Sequence, residues 1–414
     1  MIKKINIFLV LLLLLLSIGV VSATADADNS IMSNNETISD SVTSDSDEIL
    51  SSDVTDDELV TASSHVVTSS NYNNYFNKKL EDTEYVYSLI PSAVNEGDTL
   101  EFDGSFKDMK FTFGMALNIV GTSTNDMKNC GFVFSNGASG STVSNLKIAN
   151  TIDYKYGIFL NNANNCVIRD CLINNTGASS YTICVANGAM YNNVSNNVLN
   201  TYGQTYGHGT RSTPAILLSG SHYNYIGDNV ISCDDANAIY LSSFEGGPIK
   251  GGLSNFNTIH NNMITYNVLP TSWAYGIQVM GGNNTISSNR IYGAYRGIST
   301  SAPGNVIVDN WIINLTGADY NNPGVPSGGE IAIVGSYHST IKNNHIVNAR
   351  VMSTGSGISV LDNSTVENNF VEVSLQGKGI YPQGSNIKIK DNTIITDSGS
   401  GILYNTYAYN LEVL

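Results

Sequence analysis

The sequence predicts an all-β solenoid, a stack of short parallel strands wound into coils, and three observations predict it. The first is a six-residue phrase (apolar, any, polar, Asn, any, apolar) whose Asn falls at Asn197, Asn229, Asn262, Asn289, Asn310, Asn344, Asn369 and Asn392, at intervals of 21 to 34 residues. The second is a shorter phrase between successive copies, a small residue followed by apolar, any, apolar. It occurs as Gly157-Ile158-Phe159-Leu160, Ala215-Ile216-Leu217-Leu218, Gly276-Ile277-Gln278-Val279 and Gly357-Ile358-Ser359-Val360. The third is the period itself: no repeat unit carries the ten or more residues of 3.6-residue apolar spacing that a helical solenoid needs.

One such unit cannot bury its own apolar residues. Stacking units buries a continuous core and pairs each strand with its copy above and below, at a rise of about 4.8 Å per coil. The fixed Asn suits a bend between two strands, where a left-handed backbone is needed and where one amide can bond the next in the stack. Two earlier copies of the phrase are degenerate, with Leu146 and Cys171 in the Asn slot.

These registered copies resemble the right-handed parallel β-helix repeat family over roughly residues 95–410. The resemblance implies a right-handed single-stranded parallel β-helix of about eleven coils. Its first-sheet strands are expected near residues 100, 132, 158, 183, 216, 239, 277, 298, 331, 358 and 380, with a partial coil at 401–404. Because that scaffold carries lyases, hydrolases, epimerases and adhesins alike, the motif speaks for fold and not for chemistry.

Taken in order, the chain opens with Lys3 and Lys4, an apolar run over 5–21 and the small-residue site Val21-Ser22-Ala23, so residues 1–23 are expected to be a signal peptide. The same run approaches spanning length, which leaves an uncleaved N-terminal membrane anchor as the alternative. Residues 24–64 hold eleven Asp or Glu and no Lys or Arg, a composition expected to form a disordered spacer. Residues 65–98 are expected to cap the first coil with a short amphipathic helix over 71–80, and 99–414 to form the β-helix. The net charge of −16 makes nucleic acid and anionic lipid poor partners.

Five cysteines, Cys130, Cys166, Cys171, Cys184 and Cys233, show no metal-type spacing and are expected as buried packing residues, with Cys171 in the ladder slot. A Cys171 disulfide to Cys166 or Cys184 is left open. The six histidines, His65, His208, His222, His260, His338 and His345, are expected on the surface without metal. No cofactor is expected. Calcium at Asp234 and Asp235 would have few of the oxygens it needs.

In polysaccharide-cleaving members of the resembled family, catalytic groups lie on the outside of the first strand. Here that column is expected to be Phe159, Cys184, Leu217, Tyr240, Gln278, Ser299, Ala332, Ser359, Tyr381 and Leu403, without a charge. A glycosidase needs two carboxylates, and a lyase needs a base with cationic help. The best remaining cluster is Asp234 and Asp235, which His208, Arg211 and Glu245 could join. It resembles the paired Asp of polygalacturonase-type hydrolases but lacks that family's other motifs.

Long excursions over 201–213, 242–255, 267–274 and 316–328 carry aromatic residues suited to stacking on sugar rings. The expected ligand-binding set is Tyr202, Tyr206, Tyr240, Trp273, Tyr275, Tyr295, Arg296 and Tyr320. With the leader and acidic spacer, the chain resembles the Asn- and Thr-rich adhesin-like surface proteins of methanogenic archaea. That resemblance implies a non-catalytic secreted or cell-surface protein holding an extracellular polysaccharide or cell-surface glycan. A carbohydrate-active enzyme (polysaccharide lyase, hydrolase or epimerase) centred on Asp234, Asp235, His208 and Arg211 is the alternative. A metal-maturation β-helix like the nitrous-oxide reductase accessory proteins is a third reading and lacks a metal site.

Overall fold

A typical coil turns through three strands, as Asn193–Ser195, Val198–Thr201 and Ile216–Ser219 do before the next coil begins at Tyr225–Gly227. The computed structural model describes residues 62–414 except 153–155, 178–179, 203–213, 244, 271–273, 320–321 and 407. All belong to one unit, Val60–Leu414, a right-handed parallel β-helix. The first strands of the coils form a fourteen-stranded sheet, here sheet A. Second and third strands form sheets C and B, which the sixteen-residue strand His345–Val360 joins. No helix of the described residues is long and apolar enough to cross a membrane.

The register explains the repeated phrases. In sheet B, Ile158, Ile183, Ile216, Ile239, Ile277, Ile298, Ile333, Ile358 and Ile380 are successive partners, all with no exposed surface. Each buried Ile contributes about 2 kcal/mol of transfer free energy. The small residue before it is required by a close approach: a Cβ on Gly276 would lie 2.7 Å from Ile291 Cγ2.

The ladder Asn residues from Asn197 to Asn369 are buried, and each of their amides bonds the next, ending at the half-buried Asn392. Asn229 Nδ2 donates to Asn262 Oδ1 at 3.0 Å and to Val194 O at 2.9 Å, while Asn197 N–H donates to Asn229 Oδ1 at 3.0 Å. Cys171 takes a ladder slot as expected, donating its N–H to Asn197 Oδ1 at 3.0 Å. All five cysteines are free and buried, so neither disulfide forms.

Several expectations need correction. The left-handed residue is the one before each ladder Asn (Asn196, Asp228, Asn261, Ser288, Asp309, Asn343, Asn368, Asp391), because the ladder Asn must turn its amide inward. A second ladder, Asn192, Asn224, Asn257, Asn284 and Asn305, lies five residues before the first, just ahead of the repeated phrase, at the bend from sheet B to sheet A. The cap helix over 71–80 is instead a 3-10 turn, Tyr72–Asn74, and a strand, Phe76–Glu81, that pairs antiparallel with Glu84–Leu89. The period-two pattern of 84–89 supplies a hairpin partner that outweighs weak helical spacing. Phe76 packs with Phe102, Phe111 and Phe113, closing the first coils with aromatic rings. The strand near residue 100, Thr99–Phe102, belongs to sheet A, where it pairs with Ser64–Val67. His65 is more than a surface residue: its Nε2 lies 2.9 Å from the buried carboxylate of Asp98.

Candidate functional site

On the outer side of sheet B, Val133, Phe159, Cys184, Leu217, Tyr240, Gln278, Ser299, Val334, Ser359 and Tyr381 are successive partners. Val334, not Ala332, takes its place in this column, because Ala332 is fully buried and Ser299 pairs with Val334. Part of the face is covered. After the strand Ile239–Ser242 the chain returns over it, and Ile249 packs with Phe159, Cys184 and Leu217 in an apolar cluster separate from the core. Asn187 clamps this segment, its Nδ2 donating to Pro248 O at 2.8 Å and its Oδ1 accepting Lys250 N–H at 2.8 Å.

Beyond the covered part, charge appears at the start of the sheet B strands and not at their centres. Arg296 Nε donates to Glu330 Oε2 at 2.5 Å, and its guanidinium also bonds the Tyr275 hydroxyl and lies 4.9 Å from the centre of that ring. Burial pushes the Tyr275 and Tyr295 hydroxyls up, and the Arg296 charge pulls both back. Tyr240 donates to Met280 Sδ at 3.2 Å, and Asn237 Nδ2 donates to Gln278 Oε1 at 2.9 Å.

The acidic pair lies in the turn that feeds the strand Ile239–Ser242. Burial pushes the Asp234 carboxyl up, and the Asn267 amide, 3.4 Å away, partly opposes it. Asp235 is buried beside the Tyr266 hydroxyl, which bridges Ala236 O at 2.8 Å and Tyr275 O at 2.6 Å. That hydroxyl links the acidic turn to the Tyr275 strand.

Of the expected ligand-binding residues, the structure therefore gathers Tyr240, Tyr275, Tyr295 and Arg296. Tyr202 is exposed at the end of the strand Val198–Thr201. Tyr206, Trp273, Tyr320, His208 and Arg211 lie outside the described residues. Glu330, Tyr156 and Tyr181 escaped sequence analysis. A usable signal existed: Tyr156, Tyr181, Tyr275 and Arg296 each stand two residues before the inward Ile of sheet B, and Tyr156 pairs with Tyr181 as Tyr275 does with Arg296. Among the described residues, no group of three or more His, Cys, Asp or Glu is placed to hold a metal ion.

No protein-family description matches the sequence, and no curated protein matches it. Among solved structures, the chain is similar to the catalytic domain of a GH87 alpha-1,3-glucanase variant in complex with tetrasaccharides. The identity is 18%, the TM-score is 0.56, and the match covers 82% of this chain and 69% of that one. A mannuronic acid specific polysaccharide family 6 lyase from human gut microbiota matches at 12% identity and TM-score 0.48, covering 83% of each chain. A tailspike protein variant of E. coli bacteriophage HK620 in complex with pentasaccharide matches at 9% identity and TM-score 0.46, covering 81% of this chain and 60% of that one.

The expectation of a non-catalytic adhesin is corrected by these findings. The glucanase domain that shares this fold is a catalytic domain. The central column is uncharged, as expected, but Arg296 and Glu330 stand beside it at the strand starts.

Proposed function

We propose that the chain is a carbohydrate-active enzyme that cleaves a polysaccharide lying across the outer face of sheet B. The observation that carries this reading is the convergence of Tyr275, Arg296 and Glu330 from successive coils beside the Asp234 and Asp235 turn. Tyr240 and Tyr295 are half-buried and offer rings for sugar stacking, while Tyr275 is buried under the Arg296 guanidinium.

In the hydrolytic form, Asp234 is the general acid. Its raised carboxyl retains a proton at higher pH and delivers it to the glycosidic oxygen as the bond to the anomeric carbon breaks. Water adds to that carbon, and its proton passes to a second carboxylate, assigned to Asp235. His208 and Arg211, outside the described residues, join this proposal from the sequence alone. A lyase is the second reading, in which the Arg296 guanidinium at the Tyr275 hydroxyl partly offsets the burial that raises that phenol.

The leader-like residues 1–23 and the acidic stretch 24–64 support action outside the cell, on an extracellular polysaccharide or a cell-surface glycan. Incubation of the full chain with neutral and acidic polysaccharides, scoring reducing and unsaturated ends separately, tests the proposal. Reducing ends that disappear with Asp234→Asn support hydrolysis, and unsaturated ends support the lyase. Absence of both from every polysaccharide removes the enzymatic reading.

A further inference from the structure

A concave feature lies on the same outer face, in the first coils. A shallow, open cleft is lined by Glu84, Lys110, Asn129, Gly131, Val133 and Tyr156. Four rungs separate its strand Gly131–Phe134 from Ile239–Ser242, which the acidic turn feeds, or about 19 Å at about 4.8 Å per rung. The Ile249 segment covers the face between them.

The lining alternates polar atoms with an aromatic wall. Lys110 Nζ lies 3.3 Å from Glu84 Oε2, and these side chains remain 35% and 32% exposed, so ammonium and carboxylate both stay within reach of solvent. The Tyr156 ring continues into a stack with Phe159 at 4.9 Å and Tyr181 at 5.5 Å. At Gly131 any side chain is excluded, since a Cβ would lie 2.6 Å from Tyr156 O, so that part of the wall is backbone. An aromatic ring beside a paired donor and acceptor matches a sugar, which offers apolar C–H faces and a rim of hydroxyls.

Charge selects among sugars. Lys110 is already compensated by Glu84, and Asn129 Nδ2 donates to a further carboxylate, Asp108, at 3.1 Å. A uronate entering here would meet Glu84 and Asp108 with no uncommitted cation in the lining, while a neutral glycosyl unit loses nothing.

We propose that this cleft is a distal subsite for a neutral glycosyl unit of a long polysaccharide, so that the chain grips its substrate at two places along sheet B. The two-place grip rests on the enzymatic reading above, but occupancy of the cleft by a neutral sugar is measurable without it.

The test is retention of the full chain on insoluble alpha-1,3-glucan, starch and a beta-1,3-glucan, with alginate and polygalacturonate as anionic probes, and with reducing ends scored on the same samples. Tyr156→Ala and the double variant Glu84→Gln with Lys110→Gln should each raise the dissociation constant for a retained neutral glucan by about tenfold or more. Tyr156→Phe, which keeps the ring, should stay within about twofold. The double variant alters a partly exposed pair and keeps the test decisive where Tyr156→Ala fails to fold. Retention equal to the unmodified chain in the double variant overturns the subsite, as does retention on anionic probes alone or on no glucan. Released ends with unchanged retention remove the subsite and leave the enzyme. Lost retention with no released ends in any sample does the reverse.

Discussion

The Arg296 guanidinium lies 4.9 Å from the centre of the Tyr275 ring, one coil away, and also bonds that residue's hydroxyl. Both contacts need a planar fork, and Glu330 on the next coil holds that fork in place through Nε and Nη2. Arg296→Lys keeps the charge and loses the geometry. On a polysaccharide that the chain cleaves, Arg296→Ala should lower turnover by about 10²-fold and Arg296→Lys by about tenfold. Equal activity of all three proteins would remove Arg296 from the site.

Asp234 sets a pH limb. Burial raises its carboxyl above its ordinary value, so the protonated acid persists to higher pH than for an exposed Asp and is lost as pH rises through that raised value. Turnover should therefore fall on the alkaline side of a carboxylate-type pKa, and Asp234→Asn should cost at least about 10²-fold. A pH–rate profile that keeps the limb in the Asn variant assigns the acid elsewhere.

Asp98 couples the first strand to acid stability. Burial would raise its carboxyl, but N–H donors from Asn95 and Ser63 and the His65 ring together hold it below the usual value. A depressed folded pKa means stability fully present above the unfolded value, about 3.9, and lost as pH falls through the folded one. Urea midpoints should drop below about pH 4, with a shallower drop in Asp98→Asn. Identical slopes in both proteins would contradict this.

The ladder predicts unequal costs along one column. Asn229→Ala removes the bonds to Val194 O and Asn262 Oδ1 and leaves the Asn197 N–H without its acceptor, all buried. It should cost about 3 kcal/mol, from partners left unsatisfied plus a cavity. Asn392 is the last rung and half-buried, so Asn392→Ala should cost about 1 kcal/mol. Chemical denaturation of both variants gives the comparison, and equal costs would argue against a cooperative ladder.

Ile249 covers Cys184, whose thiol burial pushes well up. Ile249→Ala should expose that thiol, so a thiol reagent under native conditions should modify Cys184 at least about tenfold faster than in the unmodified chain. An unchanged rate would mean that the sheet and its other neighbours, not the Ile249 segment, shield it.

Coil architecture was legible because each repeat states it again. A residue with an apolar neighbour two positions on, and an Asn at a fixed offset, specifies an inward column and a bend independently of loop length, as Ile231 and Ile264 illustrate on either side of a long excursion. The second ladder was equally present, five residues before the first, but Asn224 and Asn257 stand among so many other Asn residues that only their bonding singles them out. The hairpin at 76–89 escaped because it occurs once, without a repeat to confirm it.

The candidate site was legible only in part. Tyr240, Tyr275, Tyr295 and Arg296 announced themselves as aromatic or cationic residues near long loops, while Glu330 lies 34 residues from Arg296 and joins it only because one coil consumes that length. Local pattern by itself determined the strand, the bend and the inward face, since those depend on neighbours within a few residues. Which side chains meet on the outer face was decided by tertiary structure alone: the register brings Arg296 to Tyr275 and Glu330, and loops of unequal length set how far apart in sequence such partners lie.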